Sequence, residues 1–140
     1  PRGGTALIDS MVRLINEVGV DLAEMDEDER PERVLFVTIT DGEENSSHHY
    51  SNAELKVKIE EQENTYKWNF TYIGANQDSF HSASQVGIKS FKAMNYNTSK
   101  DGIDKMFNKL SAATTRYRSV RSDDLTSDSF GYTEEEQKEL

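Results

Sequence analysis

The run Val34-Leu35-Phe36-Val37-Thr38-Ile39-Thr40, which ends in Asp41-Gly42, constrains the fold of this chain more than any other segment. It is a continuous series of apolar and β-branched residues with no helical period. Such a run reads as a strand buried on both faces, the pattern of a strand inside a parallel sheet. Parallel strands cannot be joined by a tight turn and need a long crossover, usually a helix. The flanking segments have the composition to supply one on each side.

Upstream, Leu7, Ile8, Met11, Val12, Ile15, Val18 and Leu22 recur at three- and four-residue spacing, which predicts a helix over residues 5–22. Gly19 is expected to end or kink it. Residues 23–33 are acidic with little to bury and are closed by Pro31, so they read as a solvated loop. Downstream, Ser51-Asn52-Ala53-Glu54 is a capping box that opens a helix to about Tyr66. Residues 69–74 form a second strand, 79–86 a short helix closed by Gly87, and 88–93 a short third strand. The last helix spans 99–119, with Ile103, Met106, Phe107, Leu110, Thr114 and Tyr117 as its buried stripe. Residues 122–140 are acidic and Ser-rich without an apolar period, and are expected to be a disordered tail or a fraying helix. The alternation of helix and strand predicts an α/β fold, a Rossmann-like open parallel sheet with helices on both faces.

Composition narrows the function classes. With 140 residues the chain is one domain or a large part of one, and a formal charge of −10 argues against nucleic acid or an anionic membrane as the main partner. The chain has no cysteine, so disulfides, thiolate catalysis and Cys-based zinc sites are excluded. That absence fits a reducing, cytoplasmic setting. No apolar run approaches a membrane span. The chain starts at Pro1 and is expected to be a processed or excised piece.

In an open α/β sheet, ligands collect outside the carboxyl ends of the strands. Two motifs are directed there. Gly3-Gly4-Thr5 feeds a threonine to a helix start, and Thr40-Asp41-Gly42 places an acid at a strand end. A hydroxyl and a carboxylate are hard oxygen ligands suited to Mg²⁺ or Mn²⁺. Together with the element order, these motifs resemble the von Willebrand factor type A domain and its metal-ion-dependent adhesion site, over roughly residues 3–120. In that family the site is built from three loops. Thr5 matches the threonine of the second and Asp41 the aspartate of the third, which often holds the metal through water. The first loop, Asp-x-Ser-x-Ser, has no counterpart in the chain.

The resemblance implies that residues 1–121 are the carboxyl-terminal portion of such a domain. It implies a non-catalytic protein-binding module, in which an acidic side chain of a partner completes the coordination of a divalent metal. Thr5 and Asp41 would be this chain's ligands. Metal binding would be weak or absent without the first loop. The strand that carries Asp-x-Ser-x-Ser in the family lies beside the one ending at Asp41, so Val34–Thr40 is expected to form an open sheet edge. Such an edge would be covered by an N-terminal half supplied separately or by a second copy. Glu43, Glu44, Asn45, Asn76 and Gln77 are candidates for partner contact on the same face.

Each motif also has a plain structural reading. Thr5 serves equally as a helix N-cap, and Asp41-Gly42 is a common turn pair. Glu43, Glu44 and Asn45 fit an exposed polar loop. Residues 76–78 fit a strand-to-helix connection, with Asp78 or Ser79 as N-cap. His48-His49 lacks the further converging ligands zinc needs, since His81 is the one other histidine. The acidic loop 23–33 lacks the ligand alternation and central glycine of a calcium loop. The basic residues of the last helix suit its solvated face and C-terminal dipole. The Asn45, Asn69 and Asn97 glycosylation patterns are read as chance matches. Two rival functions stand beside the binding module. One is a metal-dependent hydrolase or phosphotransferase using Asp41 with His48, His49 or His81 as base. The other is a metal-free assembly subunit of bacterial or phage kind.

Overall fold

In the computed structural model, which describes residues 7–41, 50–75 and 78–138, a three-stranded parallel sheet carries helices on both faces. The strands are β1 (Leu35–Thr40), β2 (Asn69–Gly74) and β3 (Ala93–Asn95), in that spatial order. The helices are α1 (Leu7–Glu24), α2 (Asn52–Tyr66), α3 (Ser79–Gln85), α4 (Lys100–Ser119) and the short α5 (Glu134–Gln137). β1 and β2 pair from Leu35 with Asn69 through Thr40 with Gly74, and β2 and β3 from Tyr72 with Ala93 through Gly74 with Asn95. Side chains on the two faces of the sheet build two cores. One gathers Met11, Val12 and Ile15 of α1, Leu55 and Ile59 of α2, Ala83 of α3, and Phe36 and Phe70. The other gathers Ile73, Met94, Met106, Ala113 and Tyr117 with Leu125, Phe130 and Tyr132.

The expected helix starts and stops follow local chemistry. Ser51 Oγ accepts from the Glu54 amide while Glu54 Oε1 accepts from the Ser51 amide, so α2 opens on a full capping box. Lys67 ends α2 in the left-handed region at φ 60°, with its amide on the carbonyls of Gln62 and Glu63. Asp78 caps α3 by accepting from the amides of Phe80 and His81, and Ser99 caps α4 by accepting from Gly102. After α3, Gly87 turns the chain at φ 85°. At the end of α1, the Arg30 guanidinium donates to the carbonyls of Ala23 and Met25, satisfying groups the helix leaves open.

Several expectations are corrected. α1 runs through Gly19 to Glu24 without a stop. Burial on both faces belongs to β2, all six residues of which are buried, and not to β1. In β1, Phe36 and Thr38 are buried while Val37 and Ile39 are 39% and 41% exposed. Among the described residues β1 is an edge strand, as the resemblance implied, and the helix on its second face packs on Ile73 of β2 and Met94 of β3 instead. The third strand is Ala93–Asn95, because Ser90–Lys92 winds into a 3-10 turn just before it. On α4, Met106, Ala113 and Tyr117 are buried, but Ile103 and Phe107 stand 36% and 51% exposed.

The carboxyl-terminal segment, expected to be a disordered tail or a fraying helix, packs onto the sheet from Leu125 to Tyr132 and ends in α5, none of whose residues is buried. Leu125, Phe130 and Tyr132 enter the second core, with Phe130 set edge-on to both Tyr117 and Tyr132. Buried polar side chains hold this segment. Asn69 Nδ2 donates to the Thr126 carbonyl at 3.0 Å, and its Oδ1 accepts from the Phe130 amide at 2.9 Å. Thr71 Oγ1 bonds the Lys92 carbonyl and the Tyr132 hydroxyl, each at 2.7 Å. Lys92 is fully buried, and its ammonium donates to the Ser127 carbonyl beside Glu63 at 3.6 Å and Asp128 at 3.3 Å. Burial lowers the Lys92 pKa, and the two carboxylates oppose that shift. On the surface, Arg116 pairs with Glu136 at 2.5 Å. Apolar residues in an extended segment, spaced five and then two apart, leave no period to read. That is why this packing was invisible in the sequence.

Candidate functional site

The carboxyl ends of β1, β2 and β3 point the same way, because the strands are parallel and in register there. Asp41 follows the last residue of β1 and is exposed at this end of the sheet. Beside it β2 ends at Gly74, whose carbonyl accepts from Ser79 Oγ at 3.1 Å and from the Tyr96 amide at 3.0 Å. Asn95, the last residue of β3, accepts the Ser79 amide on its Oδ1 at 2.9 Å. Ser79 and Asn95 thus tie the start of α3 to two strand ends.

Tyr96 was not singled out from the sequence and stands at this end too. Its hydroxyl pKa is raised, first by burial and second by the negative charge of Asp41. A second unanticipated group is Asp9, in the first turn of α1. It is only 2% exposed, and its Oδ1 accepts from the Tyr50 amide at 3.0 Å. That bond fastens the start of α1 to the residue just after the 42–49 segment. The N-terminal end of a helix stabilises such a carboxylate. The available signal was an acid set directly beside the buried residues Ile8, Met11 and Val12.

Of the sequence candidates, Asp41 is placed at the strand ends as expected. Thr5, Glu43, Glu44, Asn45, Asn76 and Gln77 lie outside the described residues, as do His48 and His49. Asp78 takes its plain reading as the cap of α3. His81 sits in that same helix, with its amide on Asp78. Among the described residues no three His, Cys, Asp or Glu side chains converge as a metal-holding group. Asp41 is a hard oxygen donor of the type Mg²⁺ or Mn²⁺ takes.

One feature lies away from these strand ends. A cavity of about 560 Å³ opens near the start of β1 and β2, lined by Leu22, Arg30, Val34, Gln62, Tyr66 and Trp68 among others. In addition, among the described residues no helix is long and apolar enough to cross a membrane. Comparison with protein-family profiles, with curated proteins and with solved structures returns no match in any of the three.

Proposed function

We propose that the chain is the carboxyl-terminal part of a Rossmann-like, von Willebrand type A binding module, which recognises a protein partner through a divalent cation at the strand carboxyl ends. The observation that carries this reading is the position of Asp41. It is an exposed carboxylate immediately after the edge strand of a parallel sheet, at the end where ligands of such sheets collect. The Gly3-Gly4-Thr5 motif, two residues before α1 begins, supports it from the sequence side.

Asp41 would hold the ion directly or through water, and Thr5 would add a hydroxyl. When bound, the ion supplies positive charge that bridges two oxygen-rich surfaces otherwise repelled from each other. That role suits a chain with a net charge of −10 meeting an acidic partner. Asp9 acts as a positioning residue, holding Tyr50 against α1. Glu43, Glu44, Asn45, Asn76 and Gln77 are the proposed partner contacts, and the cytoplasm is the proposed setting.

The test is a thermal melt with Mg²⁺ or Mn²⁺, for the natural chain and for Asp41→Ala. An ion that binds only the folded state raises the melting temperature. Because binding is weak without the first loop, the reading expects a small rise in the natural chain, seen only at high ion concentration, that Asp41→Ala abolishes. Equal curves with and without ion in the natural chain would count against a working site in it. A rise that survives Asp41→Ala would move the ion elsewhere.

A further inference from the structure

The cavity at the amino ends of the strands lies where two helices finish. α1 ends at Glu24 and α2 at Tyr66, and residues around both ends line it together with Val34 and Trp68, which precede β1 and β2. Both of its walls are therefore described residues. The six residues of β1 set it ~20 Å from Asp41, at ~3.3 Å per residue, so what it binds is independent of the metal reading. Its volume of about 560 Å³ is that of a small-molecule site, ~300–1,000 Å³. A helix presents partial negative charge and open carbonyls at its carboxyl end. Neither α1 nor α2 has a basic residue in its last turn. At α1 the Arg30 guanidinium comes from outside the helix and donates to the Ala23 and Met25 carbonyls, so the fold already seats one organic cation here. At α2 the Gln62 and Glu63 carbonyls take only backbone amides, those of Lys67 and Trp68, and Lys67 does not line the cavity. Glu61 lines the cavity from α2, and among the described residues no ion pair engages it. The other lining acid, Glu32, is turned to Ser122 and Arg33. Two aromatic residues, Trp68 and the 61% exposed Tyr66, line the cavity from the same stretch of chain as Glu61.

We propose that this cavity is a binding site for a small organic cation, a protonated amine carried on an apolar or aromatic body. The ammonium belongs at the α2 end, where the Glu61 carboxylate gives it a charge-assisted hydrogen bond and the helix dipole adds to the attraction. An aromatic ring draws a cation to its face, and Tyr66 supplies one beside solvent. The apolar body of the ligand lies against Leu22, Val34 and Trp68. The same residues select against other ligand classes. An anion would meet Glu61, Glu32 and two helix carboxyl ends, with Arg30 already engaged by two carbonyls. A hard metal ion asks for several converging oxygens, and among the described residues no three acidic or histidine side chains converge. The chain's net charge of −10 raises the local concentration of any cation.

Trp68 is the sole tryptophan, so its indole N–H gives one isolated signal in a proton–nitrogen correlation spectrum of the labelled chain. The probes are phenethylammonium, its neutral analogue phenylethanol and its anionic analogue phenylacetate. Phenethylammonium is expected to shift the Trp68 indole and the Gln62, Thr65 and Tyr66 amides saturably, with Kd on the order of 1 mM. Phenylethanol is expected to bind ~2–5-fold more weakly, the range of one exposed ion pair, and phenylacetate more weakly still. Glu61→Gln is expected to weaken the ammonium by the same ~2–5-fold and to leave phenylethanol unchanged. Glu60→Gln, which removes the same charge from α2 outside the cavity, is the control and is expected to change neither. Glu61→Lys is expected to place phenylacetate above phenethylammonium. Both positions are exposed, and the remaining signals of each spectrum report that the fold is kept. The absence of a saturable Trp68 shift with phenethylammonium overturns the proposal. So does phenylacetate binding as tightly as the ammonium, or Glu61→Gln behaving like Glu60→Gln.

Discussion

Asn69 offers the sharpest test of how the carboxyl-terminal segment is held. The side chain is fully buried at the start of β2. It donates to the Thr126 and Lys67 carbonyls and accepts from the Phe130 amide. Asn69→Ala leaves the Phe130 amide unsatisfied beside a ring that is itself fully buried. A buried donor stripped of its partner costs ~1–3 kcal/mol. Thr126 is exposed, so water can replace part of its lost bond, and the small cavity adds a further amount. We expect a total of ~2–4 kcal/mol, a large share of the ~5–15 kcal/mol typical of a domain, and a melting temperature lower by ~10 °C.

Trp68, the sole tryptophan, sits next to Asn69 and 6.1 Å from the Phe70 ring, so its fluorescence follows urea unfolding of this region. Hydrogen exchange at the Phe130 amide reports the local bond. Asn69→Asp is the informative companion. A carboxylate can still accept from Phe130 but has no donor for Thr126 or Lys67, and so is expected to be no more stable than the alanine variant. A loss under ~0.5 kcal/mol for Asn69→Ala, with unchanged exchange at Phe130, would refute the claim that Asn69 anchors the segment.

Two further outcomes follow from the same structure. A Cβ at Gly19 would meet nothing within 4 Å, and the residue lies inside an unbroken α1. Gly19→Ala is therefore expected to raise stability by ~0.5–1 kcal/mol in urea denaturation, and a loss would mean that α1 is interrupted there. Asp128 and Glu136 are held below the usual carboxylate range, first by hydrogen bonds from Lys89 and Arg116 respectively. A depressed folded pKa gives stability that is present above the unfolded value and lost as pH falls through the folded one. Melting temperature is thus expected to drop on acidification below ~pH 4. Glu63 works the other way, because burial raises its pKa, so its contribution is present below the unfolded value and fades as pH rises through the folded one. Glu136→Gln should flatten the acid limb, and an identical slope in that variant would show that the Arg116 pair contributes nothing.

The sequence by itself determined the elements whose signals are local. The capping box at Ser51 and Glu54 sets the start of α2, and the β2 run 69–74 needs no distant partner to be recognised. The parallel arrangement followed from alternation and crossover length, and Asp41 followed from its place after an apolar strand. Tertiary structure decided everything that depends on what covers a surface. Val37 and Ile39 read as buried because the run is apolar, yet a strand at an edge has one face without a helix above it. Ile103 and Phe107 fall on the right helical stripe but stand exposed at its flank. Asp9 became a buried acceptor through a residue 41 positions away, and Asn69 a latch through one 61 away. Periodicity reports the neighbours along a helix or strand. Burial and hydrogen-bond partners are fixed by segments remote in sequence, which close their loops only when the whole sheet has formed.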